Sequence, residues 1–68
     1  MSNRILKLPT VISRTGLGRS TIYAKVAKHE FPSPIQLSER SVGWLEADIE
    51  AWIEQRISES RLHELVRP

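Results

Sequence analysis

The sequence predicts a mainly α domain of three helices with a small β-hairpin, and three observations carry that prediction. Two short helix-forming runs are joined by "TGLG"; "FPSP" then excludes helix and leads into the alternating "IQLSERSVGW"; a long run with apolar residues at helical spacing follows. A chain of 68 residues is one small domain, and at that size it buries little more than about 60% of its unfolded surface.

The first helix is expected to start at Pro9, whose fixed φ and missing N–H suit a first turn, and to run to about Thr15. Leu8, Val11 and Ile12 give it an apolar side. Gly16 supplies the left-handed conformation that ends a helix, and Leu17 is placed to fold back as an apolar plug. The second helix is expected over Arg19 to Lys28, with Gly18 as a cap that has no side chain. At about 100° per residue, Ile22 and Val26 face inward, while Ser20, Ala24 and Lys28 lie opposite, flanked by Thr21, Tyr23 and Ala27. Each proline of Phe31 to Pro34 biases its predecessor toward extended geometry. Ile35 and Leu37 then alternate on one strand and Val42 and Trp44 on another, with Ser38 to Ser41 as the turn. Two strands are not stable alone. They need the third helix, whose Leu45, Ile49, Trp52, Ile53 and Ile57 fall on one face, with Glu46 and Asp48 favourably near its start. Trp44 and Trp52 read as core. Beyond Ile57 the phase is lost: in a continuing helix Leu62, Leu65 and Val66 would point away from the Ile49/Ile53 face. The domain is therefore drawn as residues 1–58, with 59–68 as a C-terminal tail, helical or disordered.

Charge is unevenly distributed along the chain. Arg4, Lys7, Arg14, Arg19, Lys25 and Lys28 precede every acid, whereas His29 to Pro68 holds all eight acids against Arg40, Arg56, Arg61 and Arg67. A cationic half next to an anionic half favours a polyanionic partner. Without cysteine there is neither a disulfide framework nor a thiolate metal site or nucleophile. No stretch is long and apolar enough to span a membrane, and the N-terminal residues lack the apolar core of a signal peptide. The expectation is a soluble cytoplasmic protein with no membrane contact. His29 and His63 have no evident carboxylate or nucleophile beside them, and the stripe of Glu46, Glu50 and Glu54 has no histidine on its face. No catalytic residue, metal site or cofactor is expected, and the protein is not read as an enzyme.

Two short helices about a glycine turn, the second presenting small polar residues edged by cations, fit a helix-turn-helix whose second helix enters a DNA major groove. Ser20 and Ala24 keep that helix slim for close approach to bases. Thr21 can donate, accept or touch a thymine methyl, and Arg19 can reach guanine or phosphate. Lys25, Lys28 and the Tyr23 hydroxyl suit the sugar-phosphate backbone, and Arg40 at the hairpin tip is placed as a wing contact. With these residues the chain resembles the AlpA-type phage transcriptional regulators, small winged helix-turn-helix domains of the MerR and excisionase kind. The resemblance rests on Arg-Ser-Thr-Ile-Tyr (19 to 23), Phe-Pro-x-Pro (31 to 34), Val-Gly-Trp (42 to 44) and Ala-Trp-Ile (51 to 53), in that order over about residues 4 to 57.

That resemblance implies three helices plus a two-stranded wing, and double-stranded DNA binding for transcriptional control on prophages and genomic islands, sometimes coupled to excision. It puts recognition on Arg19, Ser20, Thr21 and Tyr23 and the wing contact on Arg40. The chain departs from the family where Gly18 replaces a usual serine and where Ser33 and Gln36 stand in place of common basic residues. The alternatives are an excisionase-like recombination directionality factor, or an interaction module docking on RNA polymerase or a recombinase. One recognition helix reads only a few base pairs, so specificity requires a homodimer, cooperative assembly on DNA or another partner.

Overall fold

The computed structural model describes residues 3–66, with side chains placed through residue 62. The side-chain expectations for His63, Leu65 and Val66, and residues 67–68, lie outside the described residues. Six elements follow in order: β1 (Ile5–Leu6), α1 (Leu8–Thr15), α2 (Arg19–Ala27), β2 (Ile35–Ser38), β3 (Ser41–Leu45) and α3 (Glu46–Val66). This is the mainly α winged helix-turn-helix architecture the sequence predicts, with a third strand added. β3 is central in an antiparallel sheet of order β1-β3-β2. β1 is too short for periodicity to reveal. It exists because Ile5 and Leu6 pair with Leu45 and Trp44, and the Glu46 N–H continues the ladder onto the Arg4 carbonyl at 2.8 Å.

The core takes one residue from almost every part of the chain. Leu6 (β1), Val11 (α1), Ile22 (α2), Phe31 (the proline loop), Trp44 (β3) and Ile49 (α3) are buried together. Leu8, Ile12, Leu17, Val26, Val42, Trp52 and Ile53 pack around them. At about 1.5–3 kcal/mol for each fully buried large apolar side chain, this set is the main favourable term for a domain of this size. β2 contributes nothing to it. Ile35 and Leu37 are 39% and 44% exposed, because they share the outward face of the sheet with Gly43 while Val42 and Trp44 point inward. The two hairpin strands therefore do not bury their apolar residues on a common side.

The elements are delimited by specific backbone devices. Pro9 sits in the first turn of α1, which begins one residue earlier than expected at Leu8. Gly16 adopts φ 76° and returns its N–H to the Ile12 carbonyl at 2.8 Å. Thr15 Oγ1 donates to the Val11 carbonyl and accepts the Leu17 N–H, which fixes Leu17 as the plug between the helices. α2 ends at Ala27 with Lys28 as its cap, one residue short of the expected boundary. Its exit is a Schellman motif: the His29 N–H bonds the Val26 carbonyl and the Glu30 N–H bonds the Lys25 carbonyl. The residue that must turn left-handed is His29, at φ 60°, where glycine is usual. The hairpin turn narrows to Glu39–Arg40, with Ser38 and Ser41 paired and a register shift between Gln36 and Ser38. Leu45 closes β3, so α3 starts at Glu46 and is unbroken through Val66. The first eight residues assigned to a tail thus continue α3, and Leu62 on them is 65% exposed.

Two substitutions test this account. A methyl group on Gly43 would lie 2.4 Å from Ile5 Cγ2 and 3.1 Å from the Leu6 carbonyl oxygen. Gly43→Ala should therefore cost about 1–3 kcal/mol in denaturant unfolding, and adding Ile5→Ala should recover part of the loss. His29→Gly should act in the opposite direction. Relieving a left-handed penalty of about 1–2 kcal/mol outweighs the extra unfolded-state freedom of glycine, about 0.4–1 kcal/mol. A rise in Tm of a few degrees is expected, and an unchanged or lower Tm would mean that the turn carries no strain.

Candidate nucleic-acid interface

α2 presents a face with no function in the core. Ile22 is buried and Val26 half-buried, while Arg19, Ser20, Thr21, Ala24, Ala27 and Lys28 are exposed. The sequence pattern dictates this arrangement, since small and polar residues fall on one side and the two β-branched apolar residues on the other. The helix begins without a side-chain cap, Gly18 having none, and without an acidic residue in its first turn. Its leading amides and positive dipole end are consequently not neutralised locally.

Tyr23 stands at the edge of this face. Its ring is 38% exposed and lies 6.2 Å from that of Trp44, tilted by 58°. The Arg19 guanidinium lies 6.0 Å from the centre of the Tyr23 ring, so Arg19 and Tyr23 are ordered as a pair one turn apart. Lys25 is placed differently from the other site residues. It is half-buried on the flank of α2, with Nζ 3.9 Å from Glu30 Oε1. Arg40 is exposed on the hairpin turn, as the sequence places it. Beside that turn the structure adds a cation that sequence reasoning passes over. The Lys7 ammonium donates to Ser41 Oγ across 34 positions of chain, and nothing local in the sequence announces the contact.

The charge asymmetry of the sequence becomes a division of labour. Arg14 donates to Glu46 Oε2 at 2.8 Å and lies 3.9 Å from Glu50, and Arg4 lies 4.0 Å from Glu46. Two of the three carboxylates of the expected acidic stripe therefore hold α1 and the N-terminal segment to α3. Among the described residues, Lys7, Arg19, Lys28 and Arg40 have no carboxylate within salt-bridge distance. Arg61 on α3 likewise has none among them, and the other four lie on α2 and about the wing turn. No helix among the described residues is long and apolar enough to cross a membrane, and these residues contain no cluster of three or more metal-ligating side chains.

A helical pair about a glycine turn, an exposed second helix and a hairpin with an exposed arginine at its turn define a winged helix-turn-helix protein. The family described as Prophage CP4-57 regulatory protein (AlpA) matches residues 4–57, and the chain belongs to it. Over 59 residues the chain is 46% identical to the DNA-binding transcriptional activator AlpA of Escherichia coli (strain K12), a match spanning 78% of this chain and 84% of that protein. It is also 42% identical over 55 residues to the ORF88 protein of Enterobacteria phage P4, covering 81% of this chain and 62% of the phage protein.

The division of charge makes a prediction that needs no ligand. Arg14→Ala should lower unfolding stability by up to about 1 kcal/mol, because its partner Glu46 is mostly covered. Lys28→Ala, exposed and unpaired, should stay within about 0.5 kcal/mol of the parent. Equal losses for the two variants in urea titrations would contradict the partition.

Proposed function

We propose that this protein is a double-stranded DNA-binding transcriptional regulator of the prophage and genomic-island type, working in the cytoplasm. α2 lies in the major groove and the Glu39–Arg40 turn on the flanking backbone or minor groove, with residues 1–58 as the DNA-binding unit. The observation that carries the reading is the α2 face: slim, polar, free of acids, and flanked by Arg19 and Lys28, which have no carboxylate within salt-bridge distance among the described residues. The relative from Escherichia coli (strain K12) is named a DNA-binding transcriptional activator, which supports the same reading here.

In this reading the roles fall to named residues. Ser20 and Thr21 are the base readers, with Ala24 allowing the helix axis to approach the groove floor. Arg19, ordered against Tyr23, reaches guanine or the adjacent phosphate, and the Tyr23 hydroxyl takes a backbone oxygen. Lys28 and Arg40 supply phosphate attraction at two ends of the surface. Lys25 is the weakest of the proposed contacts, since a phosphate must compete with Glu30 for it. The open amides at the start of α2 add a site suited to a phosphate oxygen. Companion contacts to RNA polymerase or a recombinase have less surface than the acidic stripe suggests, because Glu46 and Glu50 are engaged by Arg14.

Two measurements test the reading. With four free cations on α2 and about the wing turn, log K against log salt should fall with a slope near −3 to −4, at about 0.9 per phosphate contact. A flat response would remove the electrostatic basis. On operator variants from the DNA flanking its gene, Thr21→Ala should change the ranking by about 1–3 kcal/mol at one position. Lys28→Ala should weaken all variants alike and reduce the slope by about 1. If Thr21→Ala also weakens every variant equally, α2 does not read bases through that side chain.

A further inference from the structure

The hairpin has no net charge of its own. From Ile35 to Leu45 it holds one acid, Glu39, and one base, Arg40, side by side in the turn. At the distance of a DNA phosphate their fields largely cancel, so a wing that grips the backbone needs a cation from outside the hairpin. Lys7 is in place to be that cation. Its ammonium donates to Ser41 Oγ, and Ser41 follows Arg40 directly in the chain. Among the described residues, no other side-chain hydrogen bond or ion pair links the Glu39–Arg40 turn or its flanking serines to a residue outside the hairpin.

The acceptor that holds Lys7 sets it apart from the other cations. Arg4, Arg14, Lys25 and Arg56 lie within salt-bridge distance of carboxylates, which order and neutralise them together. Lys28, Arg40 and Arg61 have no such partner among the described residues, and Arg19 has the Tyr23 ring. Lys7 is ordered by a neutral hydroxyl and so keeps its full charge. Of the three N–H groups of its ammonium, one goes to Ser41 and two remain to donate. Its backbone is fixed on both sides. Leu6 is buried and paired with Trp44, and the Lys7 carbonyl accepts the Val11 N–H at 3.0 Å in the first turn of α1. A long side chain is thus held before any ligand arrives, which removes part of the ordering cost of binding.

We propose that Lys7 is a further DNA contact: seated by Ser41 beside Arg40, its ammonium takes a phosphate oxygen of the duplex backbone at the wing, with Ser41 as its positioning residue. This role rests on the DNA-binding reading above and deepens it. The grip of the wing is then anchored at the junction of β1 and α1, not on the exposed strand β2 alone.

The test uses a fluorescein-labelled duplex of mixed sequence, about 20 base pairs long, because phosphate contacts do not depend on sequence. Anisotropy titrations over a range of salt concentrations give the slope of log K against log salt. Loss of one phosphate contact should lower that slope by about 0.9, equivalent to about an eightfold loss of affinity at about 0.1 M salt that shrinks toward none near 1 M. Lys7→Met should show this loss, and Lys7→Gln should repeat it without an apolar side-chain end. Lys7→Arg restores the charge and should keep the wild-type slope. Arg61→Gln removes the same charge from α3 and measures the effect of net charge alone. Ser41→Ala should keep the slope but weaken binding about two- to threefold, and in the Lys7→Met background it should cost nothing further. Circular dichroism melts verify that each variant is folded at the assay temperature. A slope change for Lys7→Met and Lys7→Gln no larger than that for Arg61→Gln overturns Lys7 as a contact. An undiminished Ser41→Ala loss in the Lys7→Met background overturns the positioning by Ser41. Failure of the DNA-binding reading looks different: the folded wild type itself shows no salt-dependent binding and Lys28→Ala changes nothing, which removes the role of Lys7 as well.

Discussion

The indole of Trp44 fills the centre of the molecule without solvent exposure, and its Nε1–H donates to the Pro32 carbonyl at 2.8 Å. That single side chain joins three things that sequence keeps apart. It belongs to the central strand and so positions both neighbouring strands. It lies against Tyr23 and so bears on the exposed helix. Its hydrogen bond also satisfies a carbonyl in a loop whose prolines remove two backbone donors. Trp52 does the same for the Glu30 carbonyl from α3. The loop between α2 and β2 is thus held by two indole N–H groups and by buried Phe31 rather than by secondary structure. No buried side-chain polar atom among the described residues is left without a partner. In a domain with so little core, that completeness matters, because one unsatisfied buried polar group costs about 1–3 kcal/mol.

The electrostatic arrangement follows from the same economy of size. A basic N-terminal half and an acidic C-terminal half would repel within themselves if each folded as a separate layer. Instead α1 packs near the start of α3, and Arg14 bridges to Glu46 and Glu50. Exposed pairs of this kind contribute little stability, about 0–1 kcal/mol each, but they decide which cations stay free. Binding a polyanion needs charge that is both exposed and unneutralised. Among the described residues the fold leaves that property to Arg19 and Lys28 on α2, to Lys7 and Arg40 about the wing turn and to Arg61 on α3, and withdraws it from Arg4, Arg14, Lys25 and Arg56. A formal net charge of +2 conceals this entirely.

Most of the architecture is legible in the sequence because its determinants are local. Pro9, Gly16 and Gly18 bracket the first two helices. "FPSP" ends helical geometry, and Ile49 with Ile53 marks the buried side of α3. The exposed stripe of α2 follows from the 3.6-residue period, so Ser20, Thr21, Ala24 and Lys28 are found where the pattern puts them. What is not legible depends on pairing across long separations. β1 has two residues and no periodicity of its own; only its ladder with β3 makes it a strand. The outward direction of Ile35 and Leu37 depends on register with Gly43, which alternation alone does not supply. The Lys7–Ser41 contact and the Lys25–Glu30 pair are likewise tertiary facts. His29 in a left-handed turn breaks the local rule that glycine ends a helix, and the continuation of α3 past Ile57 breaks the rule that a helix follows its buried stripe.

The exposed wing strand follows from the assignment of core positions. Each of the other elements contributes at least one buried residue, but β2 contributes none; it is tied to β3 by its ladder and by half-exposed side chains such as Leu37 over Gly43. An element with few buried apolar contacts opens at a lower free energy than the rest of the domain. The register shift between Gln36 and Ser38 bends the same strand near its turn. The wing turn is therefore carried by the least constrained part of the fold, whereas α2 is carried by buried Ile22 and by Tyr23 against Trp44. A proposed DNA reader needs this contrast. The base-reading helix must be held in register, since a misplaced side chain loses its hydrogen bonds. A phosphate contact tolerates displacement, because a point charge is attracted over several ångströms. The difference in packing between α2 and β2 matches the difference in precision that the two kinds of contact require.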